Sequence, residues 1–151
     1  MILPAQAIRK IKPISPFVER TVHKGMSYGL SHAGYDVRIE QICFLSPQAS
    51  CLASTIEEFF MPDDLVGFVH DKSTWARRGL SLFNTVIEPG WNGFLTLELV
   101  NHSDEMLMIN AGDPIAQIIF MRMEEPTEKP YTGKYQNQKR GPQPAIMEKG
   151  K

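Results

Sequence analysis

A chain of 151 residues with 42% hydrophobic and 22% charged residues has the length and balance of one globular unit able to enclose a core, which excludes a disordered or fibrous protein. Sixteen basic against seventeen acidic residues leave a net charge of −1; the chain therefore sets up no overall field that gathers nucleic acid, and any anion is held locally. The opening, Met1 to Pro13, has no apolar run long enough for a signal core, and no stretch approaches the length of a membrane span, so a cytoplasmic protein is expected.

In chain order, Pro4 opens a short helix through Ala5 to Lys10, which Pro13 and Pro16 close off. From Tyr35 the apolar residues come in brief runs bounded by turn formers. These predict strands over Asp36–Phe44, Leu65–Val69, Phe94–Val100, Met106–Ile109 and Ile115–Met121. Many short strands imply a mainly β chain, closed as a distorted barrel or jelly roll. Ser73 to Arg78, with a hydroxyl able to cap and Gly79 able to stop, predicts one or two helical turns within it. Cys43 and Cys51 lack any CxxC or metal-ligand grouping and read as reduced small residues, ahead of a disulfide. Trp75 and Trp91, one in the short helix and one in a turn, read as packing residues rather than stacking platforms.

Residues 1–151 form one unit in this reading, with 124–151 as a C-terminal tail. The tail is broken by Pro126, Pro130, Pro142 and Pro144 and is poor in apolar residues. It carries Tyr131, Lys134, Tyr135 and Gln138, and its composition leaves two readings open: a solvated end, or a segment that orders over a bound phosphate ligand through lysine charge and amide or phenol donors.

Glu98 is the residue that most needs explaining, because a carboxylate in the middle of the apolar run Phe94–Val100 is costly to ionise. Arg77 and Arg78 are candidate partners, and Ser73 stands one turn before Arg77, so that a carboxylate, a hydroxyl and a guanidinium are expected to converge. The residues alone leave the other reading open, in which Glu98 faces outward and pairs with a surface cation.

Five stretches resolve this by resemblance. They are Ser31-His32-Ala33-Gly34-Tyr35-Asp36-Val37-Arg38; Lys72-Ser73-Thr74-Trp75-Ala76-Arg77; Val86-Ile87-Glu88-Pro89-Gly90-Trp91-Asn92-Gly93 with Leu97-Glu98-Leu99-Val100-Asn101; Gly112-Asp113-Pro114-Ile115-Ala116-Gln117; and Gly133-Lys134-Tyr135-Gln136-Asn137-Gln138. In order and spacing, over about residues 27–145, the chain resembles the dCTP deaminase and dUTPase superfamily. The resemblance implies the dUTPase-like (β-clip) type of jelly roll. Glu98 falls where the deaminases carry a glutamate and dUTPases an apolar residue, and the tail resembles the deaminase tail.

What the resemblance implies is hydrolytic deamination of dCTP to dUTP and ammonia. Glu98 would be the proton shuttle, Ser73 would position the water, and Arg77 would support the site electrostatically. The main chain of Asn84, Thr85 and Val86 would read the base edge. Glu88 would take the sugar hydroxyl, with Tyr131 packing near the sugar. Lys72, Thr74, Gln117, Lys134, Tyr135 and Gln138 would hold the triphosphate. Lys72 and Thr74 depart from the usual Arg-Ser pair, and lysine does not reproduce a bidentate guanidinium grip. Mg²⁺ would accompany the phosphates. Zinc activation is not expected, since the zinc deaminases rely on a His/Cys set with Cys-x-x-Cys that is missing here. The implied partners are a nucleotide (dCTP, with dUTP and dTTP as further candidates) and two further copies in a homotrimer, with no nucleic acid and no membrane. The alternatives are a bifunctional deaminase and dUTPase forming dUMP, a dUTPase, and a catalytically silent nucleotide-sensing trimer.

Overall fold

The computed structural model describes residues 1–150. One helix, α1 (Ala5–Ile11), precedes β1 (Ile14–Ser15), β2 (Thr21–His23), β3 (Met26–Leu30), β4 (Tyr35–Arg38), β5 (Cys43–Leu45), β6 (Ser50–Phe60) and β7 (Leu65–Asp71). A single helical turn, α2 (Ser73–Ala76), leads to β8 (Leu80–Leu82), β9 (Val86–Ile87), β10 (Asn92–Asn101), β11 (Leu107–Ile109) and β12 (Pro114–Arg122). Three sheets result, ordered β2-β3-β4-β12-β7-β9, β1-β6-β10-β8 and β11-β5. The two larger ones enclose a core in which Ile8, Ile14, Tyr35, Leu45, Phe59, Leu65, Leu97, Leu99, Ile109 and Phe120 are all but fully buried. This is the expected mainly β architecture with two short helices. Among the described residues no helix is long and apolar enough to cross a membrane.

The expected run Asp36–Phe44 divides into β4 and β5. Between them Ile39 bridges to Thr55 and the Gln41 carboxamide engages the Ser54 N–H (2.7 Å) and hydroxyl (2.9 Å), which carries the chain from one sheet to another. The cap of α2 also differs from expectation. Lys72 occupies the N-cap position without a side-chain cap bond, and Ser73 is already helical. Gly79 ends the turn as expected, at a φ of 89° that a side chain would strain. Both tryptophans are buried, Trp75 donating its indole N–H to the Pro114 carbonyl at 2.8 Å and Trp91 to that of Tyr135 at 2.7 Å. Cys43 is buried, Cys51 partly so, and both are free thiols.

β4 and β6 are joined by a buried charge pair. Glu57, fully buried, accepts hydrogen bonds from the Arg38 main-chain N–H (2.9 Å) and guanidinium Nε (2.8 Å). Burial raises the Glu57 pKa, and Arg38 pulls against that rise. Glu57→Ala leaves a guanidinium and a main-chain donor unpartnered, so unfolding in denaturant should show a loss of about 3–5 kcal/mol, nearer the lower end because Arg38 keeps a path to water. A loss below about 1 kcal/mol would mean the pair is not structural.

Candidate active site

β10 builds the site. Its buried positions Gly93, Leu97, Leu99 and Asn101 face the core, while Glu98 and its neighbours Thr96 and Val100 lie on the partly open side. There a cleft of about 800 Å³ is lined by Ser50, Cys51 and Leu52 of β6, Phe83 to Glu88, Thr96, Glu98 and Val100 of β10, and Tyr131, Tyr135, Gln138, Gln143 and Ala145 of the tail. Desolvation raises the pKa of Glu98, and no cation within salt-bridge range offsets it among the described residues. A carboxyl group whose ionised form is disfavoured in this way is suited both to accept and to return a proton.

Segment 83–88 crosses the cleft from β8 to β9. Glu88 is exposed and opens the Pro89-Gly90 turn, its carbonyl accepting from Trp91 N–H at 3.1 Å. Thr85 and Val86 are also exposed, whereas Asn84 is partly buried with its carboxamide bound to β10.

The tail is docked rather than solvated. Gln136 accepts from Asn92 N–H (2.8 Å) and donates to the carbonyls of Gly90 and Tyr131 (2.8 Å each). Gln138 bridges in parallel to Gly93 and gives its carboxamide donors to Phe94 O (2.8 Å) and Thr96 Oγ1 (2.6 Å). Gly93 is required there: a Cβ would come within 2.6 Å of Gln138 N, and its φ of 139° disfavours a side chain. The Tyr131 hydroxyl accepts from Tyr135 N–H and the Tyr135 hydroxyl from Ile146 N–H. Of the tail residues singled out from sequence, Tyr131, Tyr135 and Gln138 line the cleft, while Lys134 lies outside that lining with its ammonium over the Tyr135 ring.

The remaining candidates lie elsewhere in the chain. Lys72, Ser73 and Gln117, with Asp36, Arg20 and Ser31, line a second depression of about 750 Å³ that shares no residue with the cleft. Lys72 is buried and ion-paired to Asp36 Oδ2 at 2.9 Å, so its charge is already matched. Gln117 reaches Ser31 Oγ at 3.3 Å. Thr74 on α2 and Arg77 at its C-cap are exposed and line neither depression. Within one chain Glu98 and Ser73 therefore line different depressions and Arg77 lines neither, α2 being anchored by Trp75 beside Pro114 of β12. Nor does Glu98 take a surface cation as partner among the described residues. Ser50, Cys51 and Leu52, which pairs opposite Glu98, are wall residues that the sequence reading missed, because β6 was missed altogether. The neighbouring Cys43 thiol lowers the pKa of Cys51.

Solved structures place this architecture among known folds. The EIAV dUTPase superposes with a TM-score of 0.59 at 17% identity, covering 80% of this chain and 98% of that one. A dUTPase from phage phi11 of S. aureus gives 0.59 at 18%, covering 79% and 92%. The chain thus has the jelly-roll-like β-clip fold of the dUTPases. The family model described as dCTP deaminase-like matches residues 35–123. The dCTP deaminase of Campylobacter fetus is 35% identical, covering 89% of this chain and 90% of that protein. The dCTP deaminase of Pyrococcus horikoshii is also 35% identical, covering 93% and 94%, and that of Thermococcus sibiricus is 36% identical, covering 90% and 92%. The chain belongs to the dCTP deaminase family of enzymes.

Proposed function

We propose that this chain hydrolyses dCTP to dUTP and ammonia, with Glu98 as the proton shuttle and no zinc in the reaction. The observation that carries the reading is a partly buried carboxyl group of raised pKa, without a cation partner, on the wall of a cleft crossed by free main chain. In the reaction Glu98 takes a proton from water as its oxygen adds to C4 of cytosine. It delivers that proton to ring nitrogen N3, then takes the proton of the added hydroxyl and passes it to the 4-amino nitrogen, so that ammonia leaves as the C4 carbonyl forms. Ser73 orients the water and Arg77 stabilises the charge that develops. Glu88 accepts from the sugar hydroxyl, Tyr131 packs against the sugar, and Asn84, Thr85 and Val86 offer main chain to the base edge.

Because Glu98 and Ser73 lie in separate depressions of one chain, the reading requires a second copy to bring its α2 to the cleft, as in a closed homotrimer. Support comes from the exposed apolar side chains left for such a partner to cover, Phe83 beside the cleft and the cross-strand pair Phe44 and Met108. Gln117, Thr74, Lys134 and Tyr135 then hold the phosphates. Gln138 joins them by releasing Phe94 and Thr96, and Lys72 contributes through its pair with Asp36. Magnesium would enter with the triphosphate as a counter-charge. Asp36 in the same depression fits it by type, a carboxylate with one buried oxygen, Oδ1, lacking a partner.

The test is incubation with dCTP and Mg²⁺ followed by separation of nucleotides by charge and base. dUTP and stoichiometric ammonia are expected. dUMP with pyrophosphate would show that the same protein also cleaves the triphosphate, and unchanged dCTP would overturn the reading.

A further inference from the structure

We propose that the side chain of Asn84 is a positioning residue for Glu98, fastening the proton shuttle and the base-reading main chain into one rigid unit. β8 pairs with β10 at Leu82–Leu99, Ser81–Val100 and Leu80–Asn101, and Phe83 N–H still donates to the Glu98 carbonyl at 2.9 Å. Beyond Phe83 the chain leaves β10, and three residues later, at Val86, it is already paired with β7 in the other large sheet. The edge of β10 from Thr96 to Glu98 would then be left with an unpaired carbonyl and N–H, a costly state for main chain away from water. Asn84 fills both: its Nδ2 donates to Thr96 O at 2.7 Å and its Oδ1 accepts from Glu98 N–H at 2.9 Å.

A carboxamide has the donor and acceptor of a peptide group, so the Asn84 side chain continues the ladder where the main chain has departed. Its orientation is fixed, because either atom exchanged would set like groups against each other. Two consequences follow. The Glu98 N–H and carbonyl are both tied to residues 83–84, which sets the direction in which its side chain enters the cleft. The main-chain N–H groups of Asn84 and Thr85, by contrast, make no hydrogen bond among the described residues and are free for a base edge. The side chain of Asn84 thus does for β10 what its backbone would otherwise have done, and the freed backbone faces the cleft.

The inference rests on Glu98 as proton shuttle, and Glu98→Gln decides that reading by itself. Asn84→Ala should lower kcat about 10–100-fold, the scale of a misplacement near 1 Å, while KM changes less than about threefold. In the Glu98→Gln background the same change should cost nothing further in turnover, because its effect runs through Glu98. Asn84→Asp keeps the acceptor for Glu98 N–H but opposes the Thr96 carbonyl and adds a negative charge beside Glu98. It should move the acid limb of the kcat–pH profile upward, which Asn84→Ala should not do. If Asn84→Ala leaves kcat unchanged while Glu98→Gln abolishes it, the positioning role is wrong and the shuttle stands. A loss of kcat in Asn84→Ala that only follows loss of melting temperature, with an unmoved pH limb in Asn84→Asp, would overturn the proposal in favour of a purely structural clamp.

Discussion

Glu98→Gln should release ammonia from dCTP at least about 10²–10⁴-fold more slowly than the parent protein, the contribution of a general acid–base group, with the upper end expected for one used twice in a cycle. The substitution preserves size and hydrogen-bonding reach and removes only the ability to carry a proton. Nucleotide binding should survive, since the residues assigned to sugar and phosphate are different ones. Stability supplies an independent sign. Desolvation raises the Glu98 pKa in the folded protein above its ordinary 4.5, so the stabilisation tied to the protonated form is fully present below pH 4.5 and is lost as pH rises through the raised value. Glu98→Gln has no such loss. It should therefore be at least as stable as the parent at neutral pH, with the difference vanishing in acid. Calorimetric binding, ammonia release and melting on one preparation check all three. Turnover within a few-fold of the parent would remove Glu98 from the chemistry, and loss of binding together with assembly would make it structural.

Glu98 was legible because a carboxylate breaks an otherwise apolar run, a contrast that needs no neighbours to be seen. β10, β12 and α1 were legible for related reasons: clean apolar runs for the strands, and Pro4 for the helix start. β6, the longest strand at 11 residues, was not. Its Cys-Leu-Ala-Ser-Thr-Ile-Glu-Glu-Phe-Phe lacks alternation by residue type because two of its inward positions are polar: Thr55, whose hydroxyl donates to Glu57 O and accepts Leu95 N–H, and Glu57, matched by Arg38. Leu95 and Arg38 lie far away in sequence, so the satisfied polar core reads locally as a loop. The hairpin of β2 and β3 was hidden too, since β2 is exposed throughout and carries no inward face.

The tail shows the same limit. Its polarity was plain, but its docking rests on Gln136 and Gln138 acting as peptide-like partners for the Pro89–Phe94 segment and β10, and carboxamides leave no periodicity to read. Asn84 escaped for that reason as well: it was singled out for its main chain, and its side chain's place on β10 appears only once β8 is seen to stop at Leu82. Spacing within α2 put Ser73 and Arg77 on one helical turn, but helix periodicity says nothing about which depression that turn borders.

That separation leads to the most discriminating expectation, recovery of activity from two inactive proteins. Ser73→Ala removes the hydroxyl proposed to orient the attacking water and should cost about 10²-fold or more, the scale of a lost oriented hydrogen-bond donor. Glu98→Gln is inactive for the other reason. If one copy's Glu98 works with another copy's Ser73, each substitution disables only the sites to which it contributes. Unfolding the two proteins together in equal amounts and refolding them scrambles the copies in a closed ring. A site is intact when both contributing copies carry the parent residue, which random assembly gives in about a quarter of sites. Activity should therefore rise from near zero to about a quarter of the parent's, and it should rise smoothly with the degree of exchange. Mixing without unfolding is the control and should stay silent while the proposed trimers hold. If both residues acted from the same chain, no mixture would contain an intact site, and the scrambled sample would show only the mean of the two residual rates. That result would return catalysis to a single chain and require α2 to move to β10, against the anchor that Trp75 makes with Pro114.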